Sequence, residues 1–300
     1  MTIAYELGED PHFEVFRTIP EKPRVIACMA TMPGREEALV KALESLSPQV
    51  DQIIVSCDAV AGWSPPKRAY DLTHKLGMVF SNKPLGDANK LTHVMPEAPH
   101  TVSMLLTVDD DLRYPPNYAA HHLDCWRRLA RNGTASLYTV LGIHGTYYRH
   151  ADETRYRSPD AERYRCLDRK PRAVWNRVHV LGTGTTSFLY HPQWGFSCDP
   201  LGGVIRNATG SPRRSLFQLF QARTPRKQLE RNVADLHLAS YAQYEELPLW
   251  AIPKPAAWLE LLVDPKRPSI WNSGRAQESE QAQNEAALMS RRPGAWRLFG

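Results

Sequence analysis

The sequence predicts an α/β protein with a mostly parallel, doubly wound central sheet flanked by helices. Four apolar segments of strand length, rich in β-branched residues or leucine, occupy residues 24–31, 52–57, 77–81 and 103–108. Apolar residues at helical spacing occupy 35–47, between the first two segments, and a helix-like stretch covers 87–94 between the last two. Strands that alternate with helices in this way pair in parallel, with helices packed on the faces of the sheet.

The second half of the chain has a looser pattern. It predicts helices at 117–130 and 233–246, a strand at 136–143, a long polar loop or insert at 149–177 and an apolar segment at 178–190. Gly182 and Gly184 interrupt that apolar segment, which indicates close backbone approach or a β-bulge. The segment 206–231 interleaves arginine with leucine and phenylalanine; it is either a surface for an acidic acceptor or an anionic membrane, or a solvated helix face.

Composition narrows the class of protein. The 300 residues are 42% hydrophobic and 23% charged, as in a globular protein, and carry a net charge of +5. This charge fits an acidic substrate such as a nucleotide but is too weak to predict a nucleic-acid partner. The five cysteines include no C-x-x-C pair, so we expect free thiols in a reducing compartment. We see neither a leader peptide nor an apolar run of about 20 residues, and therefore expect a cytoplasmic protein.

Three consecutive carboxylates, Asp109 to Asp111, directly follow the apolar run 104–108. Like charges on neighbouring residues repel, and hard divalent cations such as Mg²⁺ and Mn²⁺ bind carboxylate oxygen. The Asp-x-Asp spacing lets Asp109 and Asp111 reach one metal ion, although a solvated turn is the alternative. Thr31 and Asp58 also end predicted strands, and ligands of doubly wound sheets bind at such ends.

The order of the motifs TMPGRE, Asp58, GDANKL, VDDDLRYPPNY, LGTGT and NVADLHLA resembles that of bacterial nucleotide-sugar glycosyltransferases with the A-type fold (GT-A), of the polysaccharide- or lipopolysaccharide-building type. The resemblance covers roughly residues 23–255, and the acid run followed by Tyr-Pro-Pro is its most specific part. It implies a Rossmann-like GT-A fold in a single domain, 1–300, with an acceptor-side insert and a C-terminal extension at 256–300.

The resemblance also implies a role for each matching residue. The donor nucleotide would contact Thr31, Met32, Arg35, Asp58, Lys90, Asp109 and Asp110. Mn²⁺ or Mg²⁺ would be held by Asp109 and Asp111, and the acceptor and sugar side would be lined by Gly182, Thr183 and Gly184. Asp235 would be the catalytic base of an inverting transfer. The alternatives left open are a strand-end cap for Asp58, a solvated helix lysine for Lys90 and a helix cap for Asp235.

The predicted activity is the metal-dependent transfer of a sugar from a nucleoside diphosphate, UDP by family frequency, to a carbohydrate or glycolipid acceptor. Peripheral contact with the inner face of the membrane is a further expectation. Two other functions remain open. The first is a sugar-phosphate nucleotidyltransferase, in which we would expect a glycine-rich, basic loop after the first strand that is longer than TMPGRE. The second is a non-catalytic module that binds a nucleotide sugar without transferring it. The histidines show no zinc-site spacing; His144, His179 and His191 lie near predicted strand ends, and we expect most of the histidines to be ordinary surface or core-edge residues.

Overall fold

The structure is a computed structural model. It describes residues 22–58, 63–72, 75–81, 86–92, 103–131, 139–148, 162–190, 205–206, 212–213, 234–235, 238–239, 242 and 248–263.

The elements follow in chain order. The strands are β1 Arg24–Thr31, β2 Gln52–Asp58, β3 Leu76–Ser81, β4 Ser103–Asp109, β5 Leu112–Arg113, β6 Val140–Gly142, β7 Gly145–Tyr147, β8 Glu162–Tyr164, β9 Asn176–Val178, β10 Val180–Leu181, β11 Thr185–Tyr190, β12 Ile205–Arg206, β13 Pro212–Arg213, β14 Leu249–Ala251 and β15 Glu260–Leu261. The helices are α1 Glu36–Leu46, α2 Lys67–Leu72, α3 Asn89–Thr92 and α4 Tyr118–Arg131, with single 3₁₀ turns at Ser47–Gln49 and Gly86–Ala88.

Within the described residues, eight strands form one sheet in the order β3-β2-β1-β4-β11-β6-β14-β9. The first four strands are mutually parallel, β11 is antiparallel to both of its neighbours, and β14 is parallel to β6. Every residue of β4 except Asp109 is buried, which explains why the strand reads as a continuous apolar run. The predicted α/β class with a mainly parallel central sheet is confirmed.

Helices cover both faces of the sheet. On one face, α1 and α4 pack Leu39, Leu43 and Trp126 against alternate residues of β1, β2 and β4 in the main core. On the other face, Leu91 of α3 and Ala234 pack around Phe188. This doubly wound arrangement sends the loops that follow β1, β2 and β4 to a single edge of the sheet.

The antiparallel direction of β11 brings a further segment to that edge. In the register of the two strands, Thr185 at the start of β11 lies opposite Val108 near the end of β4. The glycine-containing turn 182–184 therefore lies beside the three carboxylates that follow Val108.

Some elements differ from the sequence prediction. The segment 149–177, predicted as a loop, contains β8 and the start of β9 in its described part, and 178–190 is divided by a turn between β10 and β11. The sequence prediction missed α2, because six residues after two prolines are too few for a periodic pattern. Residues 234–235, 238–239 and 242 are helical, in agreement with the predicted helix at 233–246, whose other residues lie outside the described ranges. Most of 206–231 and all of the extension beyond 263 also lie outside them.

No helix in the described part of the chain combines the length and the apolar character needed to span a bilayer.

Candidate functional site at the carboxyl edge of the sheet

Asp109 ends β4 and is the centre of the candidate site. Its Oδ1 accepts a hydrogen bond from Lys90 Nζ at 2.5 Å, and the Lys90 side chain is only 2% exposed whereas that of Asp109 is 38% exposed. The lysine thus lies beneath the carboxylate, and the carboxylate remains open to a ligand. The alternative of a solvated helix lysine at position 90 is wrong.

Gly184 lies directly against the Asp109 carboxylate. A Cβ atom on Gly184 would lie 1.8 Å from Asp109 Oδ2 and 2.3 Å from its Cγ, so no larger residue fits while Asp109 keeps this position. The buried Tyr114 joins the two backbones. Its hydroxyl accepts a hydrogen bond from Asp109 N at 2.7 Å and donates to Gly184 O at 3.0 Å. The first residue of the Tyr-Pro-Pro motif therefore holds the acid run against the glycine turn.

Asp110 and Asp111 face the loop that follows β1. Arg35 Nη1 donates to Asp111 Oδ2 at 2.7 Å and to Asp110 Oδ1 at 3.2 Å, and Thr31 Oγ1 donates to Asp110 Oδ2 at 2.7 Å. Burial raises the pKa of Asp110 to about 7 despite the opposing charge of Arg35. Burial and then the neighbouring Asp109 raise the pKa of Asp111. Asp109 thus ends β4 and faces Lys90, whereas Asp110 and Asp111 lie in the turn that follows β4 and face Arg35.

Lys90 is a buried charge surrounded by carboxylates. Burial alone would lower the pKa of Lys90, but Asp109 and Asp87 outweigh it, so the pKa is raised and the ammonium stays protonated. Asp87 Oδ2 lies 3.8 Å from Lys90 Nζ. Burial raises the pKa of Asp87 to about 6, with Lys90 opposing this and the charges of Asp235 and Asp109 adding to it. Asp235, remote in sequence, therefore belongs to the same charge cluster.

Asp58 ends β2 and holds the start of the segment that carries Lys90. Its carboxylate accepts hydrogen bonds from Gly86 N at 3.1 Å and from Asn89 Nδ2 at 2.6 Å. These are the contacts of the strand-end cap considered as an alternative, and they also place α3 at this edge. A contact between Asp58 and a nucleobase stays a prediction.

The turn 182–185 brings together side chains from three parts of the chain. Thr183 donates from N at 2.7 Å and from Oγ1 at 2.8 Å to Asp235 Oδ1, which fixes the orientation of that carboxylate. On either side of Thr183, Gly184 lies against Asp109, and a Cβ on Gly182 would lie 3.1 Å from the His144 ring. Gly182 N also donates to His144 O, and Thr185 N closes the turn by donating to Gly182 O.

His144 is half-buried, and Cys166 lies next to it, with Sγ 3.7 Å from Nδ1. Burial lowers the pKa of His144, while Asp235 and Asp109 are close enough to oppose this. Burial raises the pKa of Cys166 to about 12, so the thiol stays protonated at neutral pH. Cys166 belongs to the segment 165–172, which two cations anchor to the sheet. Arg172 donates to Ile143 O and Ile252 O, and Lys254 Nζ donates to the carbonyls of Asp168 and Lys170.

The structure brings most of the predicted site residues to one edge. These are Thr31, Arg35, Lys90, Asp109, Asp110, Asp111, Gly182, Thr183, Gly184 and Asp235, with Asp58 joined through Asn89. Met32 lies in the loop after β1 and is 46% exposed. Sequence reasoning did not assign roles to Tyr114 and His144. The Tyr-Pro-Pro motif was a signal for Tyr114, whereas no pattern in the sequence singles out His144.

No group of three or more His, Cys, Asp or Glu side chains among the described residues is arranged to hold a metal ion by itself. The two carboxylates predicted for the metal, Asp109 and Asp111, lie close enough to raise the pKa of Asp111.

The sheet order and the helices on both faces define a Rossmann-like α/β protein and are compatible with the GT-A fold. Comparisons with protein-family models and with curated proteins find no match. Among solved structures, the chain is similar to HddC from Yersinia pseudotuberculosis, with 11% identity over 55% of this chain and 76% of that one and a TM-score of 0.30. It is also similar to the 4-diphosphocytidyl-2C-methyl-D-erythritol synthase of Anaerococcus prevotii, with 8% identity over 90% and 97% of the chains and a TM-score of 0.36. Similarities this low carry no argument about activity.

Proposed function

We propose that this chain is a metal-dependent glycosyltransferase. It moves a sugar from a nucleoside diphosphate, with UDP as the first nucleotide to test, to a hydroxyl of a carbohydrate or glycolipid, with inversion at the anomeric carbon. The observation that supports this most strongly is the gathering of the acid run, Lys90, the glycine turn and Asp235 at one edge of the sheet.

The balance of charge at this edge favours a divalent cation. In the described part of the chain, Asp87, Asp109, Asp110, Asp111 and Asp235 lie around two cations, Lys90 and Arg35, and each cation already pairs with carboxylates. A diphosphate would be repelled from such a cluster unless it arrived with additional positive charge. Mn²⁺ or Mg²⁺ provides that charge.

The residues present fit such an ion. Asp109 and Asp111 supply two carboxylates, and magnesium sites for phosphate substrates need only one or two, because phosphate oxygens and water complete the shell. Two carboxylate ligands from the protein are therefore enough for a metal ion that binds together with the nucleotide. When bound, the ion acts as a Lewis acid that stabilises the charge left on the departing diphosphate.

The remaining roles follow from the contacts of each side chain. Lys90 holds Asp109 in place and adds a permanent positive charge beneath the diphosphate. Arg35 orients Asp111 in the same way. Thr183 fixes Asp235 so that its carboxylate can take the proton of the acceptor hydroxyl as that hydroxyl attacks the sugar from the face opposite the diphosphate.

Calorimetry tests the binding step of the proposal. We expect UDP to bind with Mn²⁺ and to lose at least tenfold in affinity without it, and we expect Asp111→Asn to lose most of that metal dependence. Binding that is equally tight without metal, or no nucleotide binding at all, would contradict the proposal.

Product analysis separates the transferase from a sugar-phosphate nucleotidyltransferase. A transferase releases UDP from a UDP-sugar, whereas the alternative releases pyrophosphate from UTP and a sugar 1-phosphate. Metal-dependent binding without release of either product would instead identify a binding module. A screen over UDP-, GDP-, CMP- and dTDP-sugars extends the test to other donors.

A further inference from the structure

His144 shares the turn that carries the two main carboxylates of the site. Gly182, Thr183 and Gly184 are consecutive, and they contact His144, Asp235 and Asp109 respectively. Since successive Cα atoms are only about 3.8 Å apart, the three side chains surround one short piece of backbone. His144 is brought there by the strand ends: its N donates to Thr185 Oγ1 at 3.1 Å, at the start of β11.

The chemistry of the imidazole suits a sugar hydroxyl. Burial keeps the ring neutral by lowering the pKa of His144, and a neutral imidazole has one donor and one acceptor nitrogen. A hydroxyl likewise both donates and accepts. Cys166 contacts Nδ1 and lies on the anchored segment 165–172, whereas Gly182 faces Cβ, Cγ and Cδ2 of His144, so the two neighbours meet different atoms of the side chain.

His144 lies beside the turn at which the proposed function expects the transferred sugar. In the proposed function, the diphosphate is bound at Asp109 and the base is Asp235, so the anomeric carbon lies between these two carboxylates. His144 lies against Gly182, next in the turn to Thr183 and Gly184, which contact these two carboxylates. We propose that His144 is a sugar-binding residue that hydrogen-bonds a hydroxyl of the donor sugar through Nε2, and that Cys166 positions its ring. This inference rests on the proposed function.

Protection from diethylpyrocarbonate tests the contact directly, because this reagent modifies neutral imidazoles. The rate of modification at His144 is followed by peptide mass spectrometry with Mn²⁺ alone, with UDP, and with UDP-glucose, UDP-galactose, UDP-N-acetylglucosamine or UDP-glucuronic acid. We expect at least one UDP-sugar to slow the reaction fivefold or more and UDP to slow it less than twofold. His121, which is half-buried like His144 and has its Nε2 hydrogen-bonded to Pro253 O, is the internal control.

A variant gives a second, independent measurement. His144→Gln keeps a polar group near Nε2, and His144→Phe removes it. We expect the phenylalanine variant to lose about tenfold in the affinity for the protecting UDP-sugar, the glutamine variant to lose less, and both to bind UDP as the wild type does. His121→Gln is the matched control and should change neither affinity.

The outcomes distinguish the inference from the function on which it rests. If UDP binds with Mn²⁺ but UDP and UDP-sugars protect His144 equally, or neither protects it, the sugar contact is wrong and the proposed function stands. If no nucleotide binds with Mn²⁺, both are wrong. Equal loss of UDP and UDP-sugar affinity in both His144 variants would show a structural role only and would also overturn the inference.

Discussion

A methyl group added at Gly184 would test whether the Asp109 carboxylate has to lie where the glycine turn leaves room for it. In Gly184→Ala, the new carbon would stand 2.3 Å from Asp109 Cγ and 1.8 Å from Oδ2. Carbon atoms that are not bonded stay about 3.5 Å apart or more, so Cγ has to move by about 1.2 Å. A shift of this size directly away from Lys90 Nζ, now 2.5 Å from Oδ1, would lengthen that contact to about 3.7 Å, which is beyond ordinary hydrogen-bond distance.

We expect Gly184→Ala to weaken the binding of Mn²⁺ and UDP more than it lowers the free energy of unfolding. Asp109 is at the edge of the sheet and can rotate towards solvent, so we expect the free energy of unfolding to fall by about 1–3 kcal/mol, as in other overpacked sites. Displacement of the Asp109 carboxylate has a larger effect on the affinity for the metal ion. Loss of a supporting contact to a metal ligand costs about 10- to 100-fold in affinity, and we expect a loss of this size for Mn²⁺ with UDP.

Urea unfolding and calorimetry with Mn²⁺ and UDP measure the two effects separately. Gly77→Ala in β3 is the matched control, because a Cβ at Gly77 would meet only the carbonyl oxygen of Ile53 in β2, at 3.8 Å. Placing Gly184→Ala in an Asp109→Ala background should reduce its cost in stability to within about 0.5 kcal/mol of zero, because the clash is then absent. If Gly184→Ala binds the metal and nucleotide as tightly as Gly77→Ala, the assigned role of Asp109 is refuted.

Three further predictions concern the other acids. Burial raises the pKa of Asp110 from 3.8 to about 7, so the folded chain keeps a proton that the unfolded chain releases in this interval. The free energy of unfolding should therefore fall as the pH rises from about 4 to about 7, and urea titrations should show less of this fall in Asp110→Asn. Because burial and Asp109 raise the pKa of Asp111, metal binding should release protons, and calorimetry should find a higher Mn²⁺ affinity at pH 7.5 than at pH 5.5; a flat profile would contradict this. Asp235→Asn should lower the rate of sugar transfer about 10²- to 10⁴-fold and leave the dissociation constant of UDP with Mn²⁺ within twofold, whereas unchanged turnover would remove Asp235 as the base.

Apolar patterning was sufficient to predict β1 to β4. The strands β1, β2 and β4 are buried almost throughout and read as continuous apolar runs, whereas the edge strand β3 is short and apolar but partly exposed. It could not predict the direction of β11, since an apolar strand has the same pattern whether it runs parallel or antiparallel. Nor could it find β7, β8 and β9, whose three residues each are too few to show any period.

The candidate site was predictable where it depended on strand ends. Thr31, Asp58 and Asp109 follow or end parallel strands, and parallel strands place such residues at one edge. His144 could not be found in this way, because it reaches the site only through the turn before an antiparallel strand. The sequence also could not show why residue 184 is a glycine, because the Asp109 carboxylate that leaves no room for a side chain comes from a distant part of the chain.

The segment 165–172 is anchored by hydrogen bonds to main-chain oxygens, and this has a consequence for how the chain can diverge. The Arg172 side chain donates hydrogen bonds to Ile143 O and Ile252 O, which follow β6 and β14. Lys254 Nζ donates to the carbonyls of residues 168 and 170. The side chains from Leu167 to Lys170 are exposed, and none of these anchoring hydrogen bonds uses them. Substitution at these four positions can therefore change the outer surface of the segment that carries Cys166 while its anchoring hydrogen bonds stay in place, so we expect related sequences to vary there more than at Arg172 and Lys254.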